Sequence, residues 1–146
     1  MRQKTYLFMI STSIALLLSL AFVFNYRIII VSGESMRPEY NDGQIIIADR
    51  TFTINDISSG DIVVFNHNGE TCIKRVLAMS GDMVKQHDGK LYINDVIEVP
   101  YTTLVEDAFV IAENEFYVCG DNFNNSIDSR MYGPIEYEEI DCIIHV

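Results

Sequence analysis

An antiparallel β-domain preceded by one N-terminal transmembrane helix is the fold class this sequence predicts. Three observations carry that expectation. The chain opens on a long apolar run without charge, then changes to short β-branched runs, and two dipeptides favoured in tight hairpins lie between such runs. With 146 residues, part of them in the apolar run, there is room for a single small globular unit.

Residues 5–26 contain no charge and 7–24 are almost wholly apolar. At about 1.5 Å per residue that stretch is roughly long enough to cross a hydrocarbon core. Arg2 and Lys4 precede it, so the positive-inside rule leaves the N-terminus in the cytoplasm and the rest outside, with Phe24, Tyr26 and Arg27 near the far interface. A cleaved secretory signal is the competing reading, because Ser19-Leu20-Ala21 makes a weak small-x-small site. The run continues through Phe22, Val23 and Phe24, where a cleavage region is polar, so a retained anchor is expected. The chain therefore divides into an anchor over 1–26 and an extracytoplasmic domain over 27–146.

Beyond Arg27 the runs 28–31, 44–48, 61–65, 71–77, 83–86, 91–93 and 116–119 read as strands. Asn68-Gly69 and Asp88-Gly89 fall between adjacent runs, and both residues of such a pair accept the positive φ of a two-residue turn. Antiparallel pairing follows. No later stretch carries a helical period.

Charge excludes more than it selects. Lys and Arg total 10 against 21 Asp and Glu, and two of the basic residues precede the anchor. The field of the remainder repels nucleic acid and anionic lipid. Glu136, Glu138, Glu139 and Asp141 read as a solvated face. Cys72, Cys119 and Cys142 are too few and too widely spaced for a disulfide framework or a zinc site, and read as buried thiols. His67, His87 and His145 are scattered, without metal-ligand spacing.

No G-x-S-x-G elbow, H-E-x-x-H or Gly-rich phosphate loop is present. What remains for hydrolytic chemistry is a serine with a lysine. Ser35 follows the run 28–31 in a Gly-containing turn, which exposes its hydroxyl; a serine there is, by itself, an ordinary turn-former. Lys74 lies in a strand whose alternation puts Cys72 and Val76 on its own face and Arg75 on the other. Burial disfavours the charged amine, and lowering its pKa by two units costs about 2.7 kcal/mol, which a strand position can impose. A neutral amine could then deprotonate Ser35. The bland alternative is an edge lysine reaching out to water. A third segment, from Tyr117 to Pro134, is a strand followed by a polar loop able to satisfy buried backbone groups; its carboxylates lack the alternating spacing of a calcium loop.

Taken in order, these segments resemble the signature boxes of type I signal peptidases, in their short Gram-positive-like form. The matching residues are Ser35-Met36-x-Pro38, the strand from Asp61 to Phe65, Lys74-Arg75-Val76 with Gly81-Asp82, and Gly120-Asp121-Asn122 with Ser126, Asp128-Ser129-Arg130 and Gly133. The resemblance implies a small β-domain of the signal-peptidase type and a membrane-bound serine endopeptidase. Ser35 would be the nucleophile that forms an acyl-enzyme, Lys74 the general base and Ser126 the residue orienting it. Arg75, Asp121, Asp128 and Arg130 would give structural support. The oxyanion would lie on the Ser35 N–H, with no hydroxyl available at Gly33. Val31, Gly33, Met36, Cys72 and Ile73 would line shallow pockets for an Ala-x-Ala sequence. Substrates would be the signal peptides of exported preproteins, at the outer face of a bacterial cytoplasmic membrane. No metal or cofactor is implied, and the membrane is contacted through the N-terminal helix. The short spacing between boxes leaves little space for an accessory β-unit. Two other readings remain: a catalytically silent relative acting as a chaperone or assembly factor, and a self-cleaving serine-lysine protein of the repressor type, which the anchor disfavours.

Overall fold

The computed structural model describes residues 2–100 and 107–145. Helix α1, Arg2–Asn25, has 24 residues, about 36 Å at 1.5 Å per residue, and every side chain from Gln3 onward is exposed. Apolar side chains with no protein partner over such a length suit a hydrocarbon core of about 30 Å. The helix stops one residue short of the expected boundary: Tyr26 already opens strand β1, Tyr26–Ile30, and its ring lies 5.2 Å from that of Phe22. No linker separates helix from sheet.

Strands β2 (Ile45–Asp49), β3 (Ile62–His67), β4 (Glu70–Met79), β9 (Glu115–Cys119), β10 (Ile135–Glu136) and β11 (Ile140–Ile144) join β1 in one sheet. Its order is β1-β2-β11-β3-β4-β9-β10, antiparallel throughout. A second antiparallel sheet holds β5 (Met83–His87), β6 (Lys90–Ile93), β7 (Ile97–Pro100) and β8 (Asp107–Val110), in the order β7-β6-β5-β8. The only α-helix described after the anchor is the single turn α2, Ser129–Tyr132.

Both expected hairpins form, β3–β4 and β5–β6. Asn68 and Gly69 take φ of 53° and 87°, and Asp88 and Gly89 take 50° and 71°. Paired positive φ values produce the turn whose twist matches that of the flanking strands. Two elements go beyond the sequence reading. No strand was expected over 140–144, yet β11 inserts between β2 and β3 with Ile140, Cys142 and Ile143 buried, while Glu136, Glu138 and Asp141 stay exposed. The expected β5–β6 hairpin gains β7 and β8 at its edges to make the second sheet, and strands of four or five residues with tight turns need few residues.

The core sits on both faces of β3, whose Ile62, Val63, Val64 and Phe65 are all fully buried. Val63 and Phe65 pack with Val76, Val118 and Ile143 on one side, and Ile62 and Val64 with Val31, Met36 and Ala48 on the other. A third cluster seats Val84, Leu91 and Ile93 of the small sheet against Ala78, Tyr117 and Cys119. All three cysteines are free thiols. Phe65→Ala, which opens a cavity on the most enclosed strand, is expected to cost about 3–5 kcal/mol, read by denaturant unfolding of the detergent-solubilised protein.

Candidate active site

Ser35 is held by a turn fastened at several points. Before it, β1 continues through Val31, whose N–H donates to Gln44 O (2.9 Å). Gly33 N–H then donates to Asp42 Oδ1 (2.8 Å). After it, Asn122 N–H donates to Ser35 O (2.9 Å) while Asn122 Nδ2 donates to Glu34 O (3.1 Å). Among the described residues no acceptor takes the Ser35 N–H. The turn thus offers one hydroxyl and one uncommitted donor on the same residue. The Gly33 N–H, by contrast, is already engaged.

Lys74 enters from β4. Strand register sets it opposite Val63, with Cys72 and Val76 on its own face, and it is 5% exposed. Its Nζ is 2.9 Å from Ser35 Oγ and 2.9 Å from Ile73 O. Burial draws its pKa below the ordinary lysine value, and the more weakly acting Cys72, Asp128, Cys119 and Asp121 do not restore it. A lysine and a serine from segments 39 residues apart therefore meet in a dry setting. That is the arrangement in which an amine, once neutral, can accept a hydroxyl proton.

The polar loop after β9 frames this pair. Asp128 is fully buried, caps α2 by accepting from Arg130 N–H (3.2 Å) and accepts from Gly120 N–H (3.0 Å). Burial opposes its charge, yet the Arg130 guanidinium, the Ser126 hydroxyl and the Gly120 N–H together keep the carboxyl below its usual range. Arg130 also donates to Phe123 O (2.8 Å) and Pro100 O (3.0 Å), joining loop and small sheet. Arg75, on the opposite face from Lys74, makes a two-pronged pair with Asp121 (both 2.7 Å) and donates to Gly60 O (2.7 Å). Ser126 is near but differs from expectation. Lys74 donates to Ser35 and Ile73, and the buried Ser126 hydroxyl has no hydrogen-bond partner among the described residues. Its hydroxyl nonetheless favours the ionised form of the neighbouring Asp128 carboxyl.

Gly120 explains the tightness. A methyl group there would strike both Ser126 Oγ and the Ser35 carbonyl, so the strand end presses against the Ser35 turn and the loop at once. The signal in the sequence was the glycine itself, at the junction of strand and polar loop.

A cleft of about 910 Å³ opens beside the pair, with Val31, Gly33, Cys72 and Ile73 in its walls. Met36 is not among them. It is 1% exposed, because the chain reverses after Ser35 (Tyr40 N–H donates to Met36 O, 2.9 Å) and turns that side chain into the core with Val31 and Ile46. Asn122 and Asp42, which hold the turn, were not singled out for that task; backbone contacts between distant segments leave no spacing to read. Among the described residues no His, Cys, Asp and Glu cluster could hold a metal.

Comparison with known proteins adds the family. The signal peptidase, peptidase S26, family profile matches residues 2–145. The chain belongs to this family. Signal peptidase I of Bacillus amyloliquefaciens is 34% identical over 69% of the chain and 63% of its own length, and signal peptidase I U of Bacillus subtilis is 32% identical over 80% and 71%. The first match thus spans less than two thirds of that relative. Staphylococcus aureus proteins named inactive signal peptidase IA are 27% identical over 94% of the chain and 88% of their length. A signal peptidase I crystal structure from Enterococcus faecalis aligns with 61% of the chain and 97% of its own, at 21% identity and a TM-score of 0.49.

Two outcomes follow from this geometry. Gly120→Ala should leave secondary structure intact but lower the unfolding midpoint and any Ser35-dependent reaction, because the Ser35 carbonyl and Ser126 must move. For Lys74 the folded-state pKa lies below the unfolded value of about 10.4, so between the two the unfolded chain holds the extra proton and stability rises with pH. Lys74→Met should abolish that rise and equal or exceed the parent in stability below the window, as read by unfolding midpoints across alkaline pH.

Proposed function

We propose that this protein removes N-terminal signal peptides from exported preproteins, as a membrane-tethered serine endopeptidase working through Ser35 and Lys74. The observation that carries this reading is the 2.9 Å contact between Ser35 Oγ and a Lys74 Nζ that is 95% shielded from water. Some relatives are named inactive, so family membership alone leaves the question of activity to the residues, and here both members of the pair are present and in contact.

The reaction runs as an acyl transfer. Neutral Lys74 accepts the Ser35 hydroxyl proton while Oγ bonds to the scissile carbonyl carbon. Charge developing on the carbonyl oxygen is met by the free Ser35 N–H; the Gly33 N–H, committed to Asp42, is not the second donor. The Lys74 ammonium returns the proton to the departing amine, leaving an ester on Ser35, and a water deprotonated by Lys74 hydrolyses that ester. Ser126, which takes no bond from Lys74 at rest, is available to the Lys74 N–H once the amine carries its extra proton. Asp128 with Arg130, and Arg75 with Asp121, hold the frame.

The walls suit an extended peptide with small side chains. Val31 and Ile73 narrow the cleft with aliphatic carbon, and Gly33 and Cys72 leave shallow relief between them. This favours an Ala-x-Ala sequence ahead of the cut. Helix α1 would span the bacterial cytoplasmic membrane with Arg2 and Lys4 inside and the cleft outside. Exposed Ile28, Ile30, Ile45 and Ile47 on β1 and β2 carry apolar surface on from the anchor. Nucleic acid is not a partner for so acidic a domain.

Incubation of the full chain in detergent with an Ala-x-Ala preprotein tests the reading. Ser35→Ala should abolish cleavage, and Lys74→Ala should lower it at least roughly a hundredfold, with both variants folded. The parent rate should climb with pH through the depressed lysine pKa and then level off. Full activity in either variant, or a flat profile from neutral to alkaline pH, would discard the mechanism.

A further inference from the structure

Ile127 is an anomaly of the polar loop. Its neighbours on both sides are turned inward, Ser126 with a buried hydroxyl and Asp128 fully enclosed, while Ile127 is 70% exposed. Its exposure is enforced, because the Asp128 carboxylate is fixed by the Gly120 and Arg130 N–H groups and by the Arg130 guanidinium. The segment cannot roll to hide the side chain without breaking that set. A large aliphatic group held in water by a rigid frame is unfavourable unless something covers it in use. Ile127 also lines the cleft beside Ser35 and Lys74, and so does Ile30 of β1, which is 68% exposed. Two bare isoleucines, from segments nearly a hundred residues apart, thus border the same opening. Neither belongs to the buried aliphatic wall formed by Val31 and Ile73, which are 3% and 8% exposed. Ile30 is moreover continuous with exposed Ile28 and with Ile45 and Ile47 on β2, the apolar strip that begins where the anchor ends.

We propose that Ile127 and Ile30 form an apolar subsite at the mouth of the cleft that takes one aliphatic side chain, of leucine type, from the extended peptide substrate. The subsite is distinct from the small-residue relief at Gly33 and Cys72, and Ile127 is its specificity-determining residue. The occupant is a peptide side chain because the subsite opens into the cleft that holds the nucleophile, and the apolar strip continuing from the anchor brings the cleft to the side from which a membrane-inserted peptide would arrive. This inference rests on the peptide-cleaving reading of the same cleft.

The test uses the full chain in detergent and a set of quenched fluorescent peptides sharing one Ala-x-Ala core, with Leu or Ser placed at each surrounding position in turn. The parent should prefer Leu over Ser at one position by roughly tenfold in kcat/KM, the range a hydrophobic pocket supplies. Ile127→Ser should erase that preference at that position alone, and Ile127→Leu should restore it. Peptide binding to Ser35→Ala, with and without Ile127→Ser, reads the same preference without chemistry. A binding preference with no Ser35-dependent cleavage would sink the proposed reaction and leave the subsite standing. Normal cleavage with no Leu preference at any position, or a preference that Ile127→Ser leaves intact, would overturn the subsite. An equal loss at every position would also overturn it, since that reports a damaged loop.

Discussion

Everything at this site depends on keeping an amine dry while leaving one hydroxyl within its reach. An exposed lysine next to a serine is a cation beside a weak dipole and has no proton-accepting capacity near neutral pH. Lys74 escapes that condition because β4 lies between β3 and β9, so its neighbours on the same sheet face, Cys72 and Val76 on its own strand and Val63, Phe65 and Val118 across from them, are apolar. The hydrophobic core is therefore part of the chemistry: the packing that stabilises the sheet also lowers the lysine pKa. The cost is borne as lost stability wherever the unfolded chain would hold the proton.

A buried amine is useful only if the hydroxyl is delivered to it, and here the polar loop takes over from the sheet. Asn122 fastens the Ser35 turn from one side and Asp42 from the other, while Gly120 lets the end of β9 come close enough for these bonds to form. Asp128 and Arg130 then brace the loop against the small sheet through Pro100. The acidic residues nearest the site are consumed in this bracing: Asp121 by Arg75, Asp128 by Arg130 and Gly120. Charges committed to guanidinium groups and backbone N–H groups act less on Lys74 than free carboxylates would, which is why burial still dominates its titration.

How much of this was readable in advance follows from range. The hairpins were legible because Asn68-Gly69 and Asp88-Gly89 encode their turn locally, and Ser35, Lys74 and the loop because each sits in a box with its own composition. Strand β11 was hidden, since its apolar residues follow a run of glutamates and its burial is decided by a slot between β2 and β3 that no local pattern announces. Met36 went astray for a related reason: it adjoins Ser35 in sequence, but the chain reversal after Ser35 aims it at the core. The resting state of Ser126 and the engagement of the Gly33 N–H were likewise fixed by contacts with Asp128 and Asp42, one two residues away and the other nine, whose directions only a folded backbone sets.

The direct passage from α1 into β1 gives the anchor a second consequence beyond tethering. Strand β1 runs from the last turn of the helix to the cleft wall, where Ile29, Ile30 and Val31 take part in the lining. At about 3.3 Å per residue, the four to six residues between Asn25 and that wall span roughly 13–20 Å. Because β1 is paired with β2 along its whole length, this distance cannot stretch or fold as a loop would. With α1 in a bilayer, that length would be the most by which the cleft wall could stand away from the end of the helix, and under the proposed reading it would limit which peptide bonds reach Ser35 while their apolar segment stays in lipid. Position relative to the membrane would then select substrates alongside the proposed small pockets and independently of their chemistry.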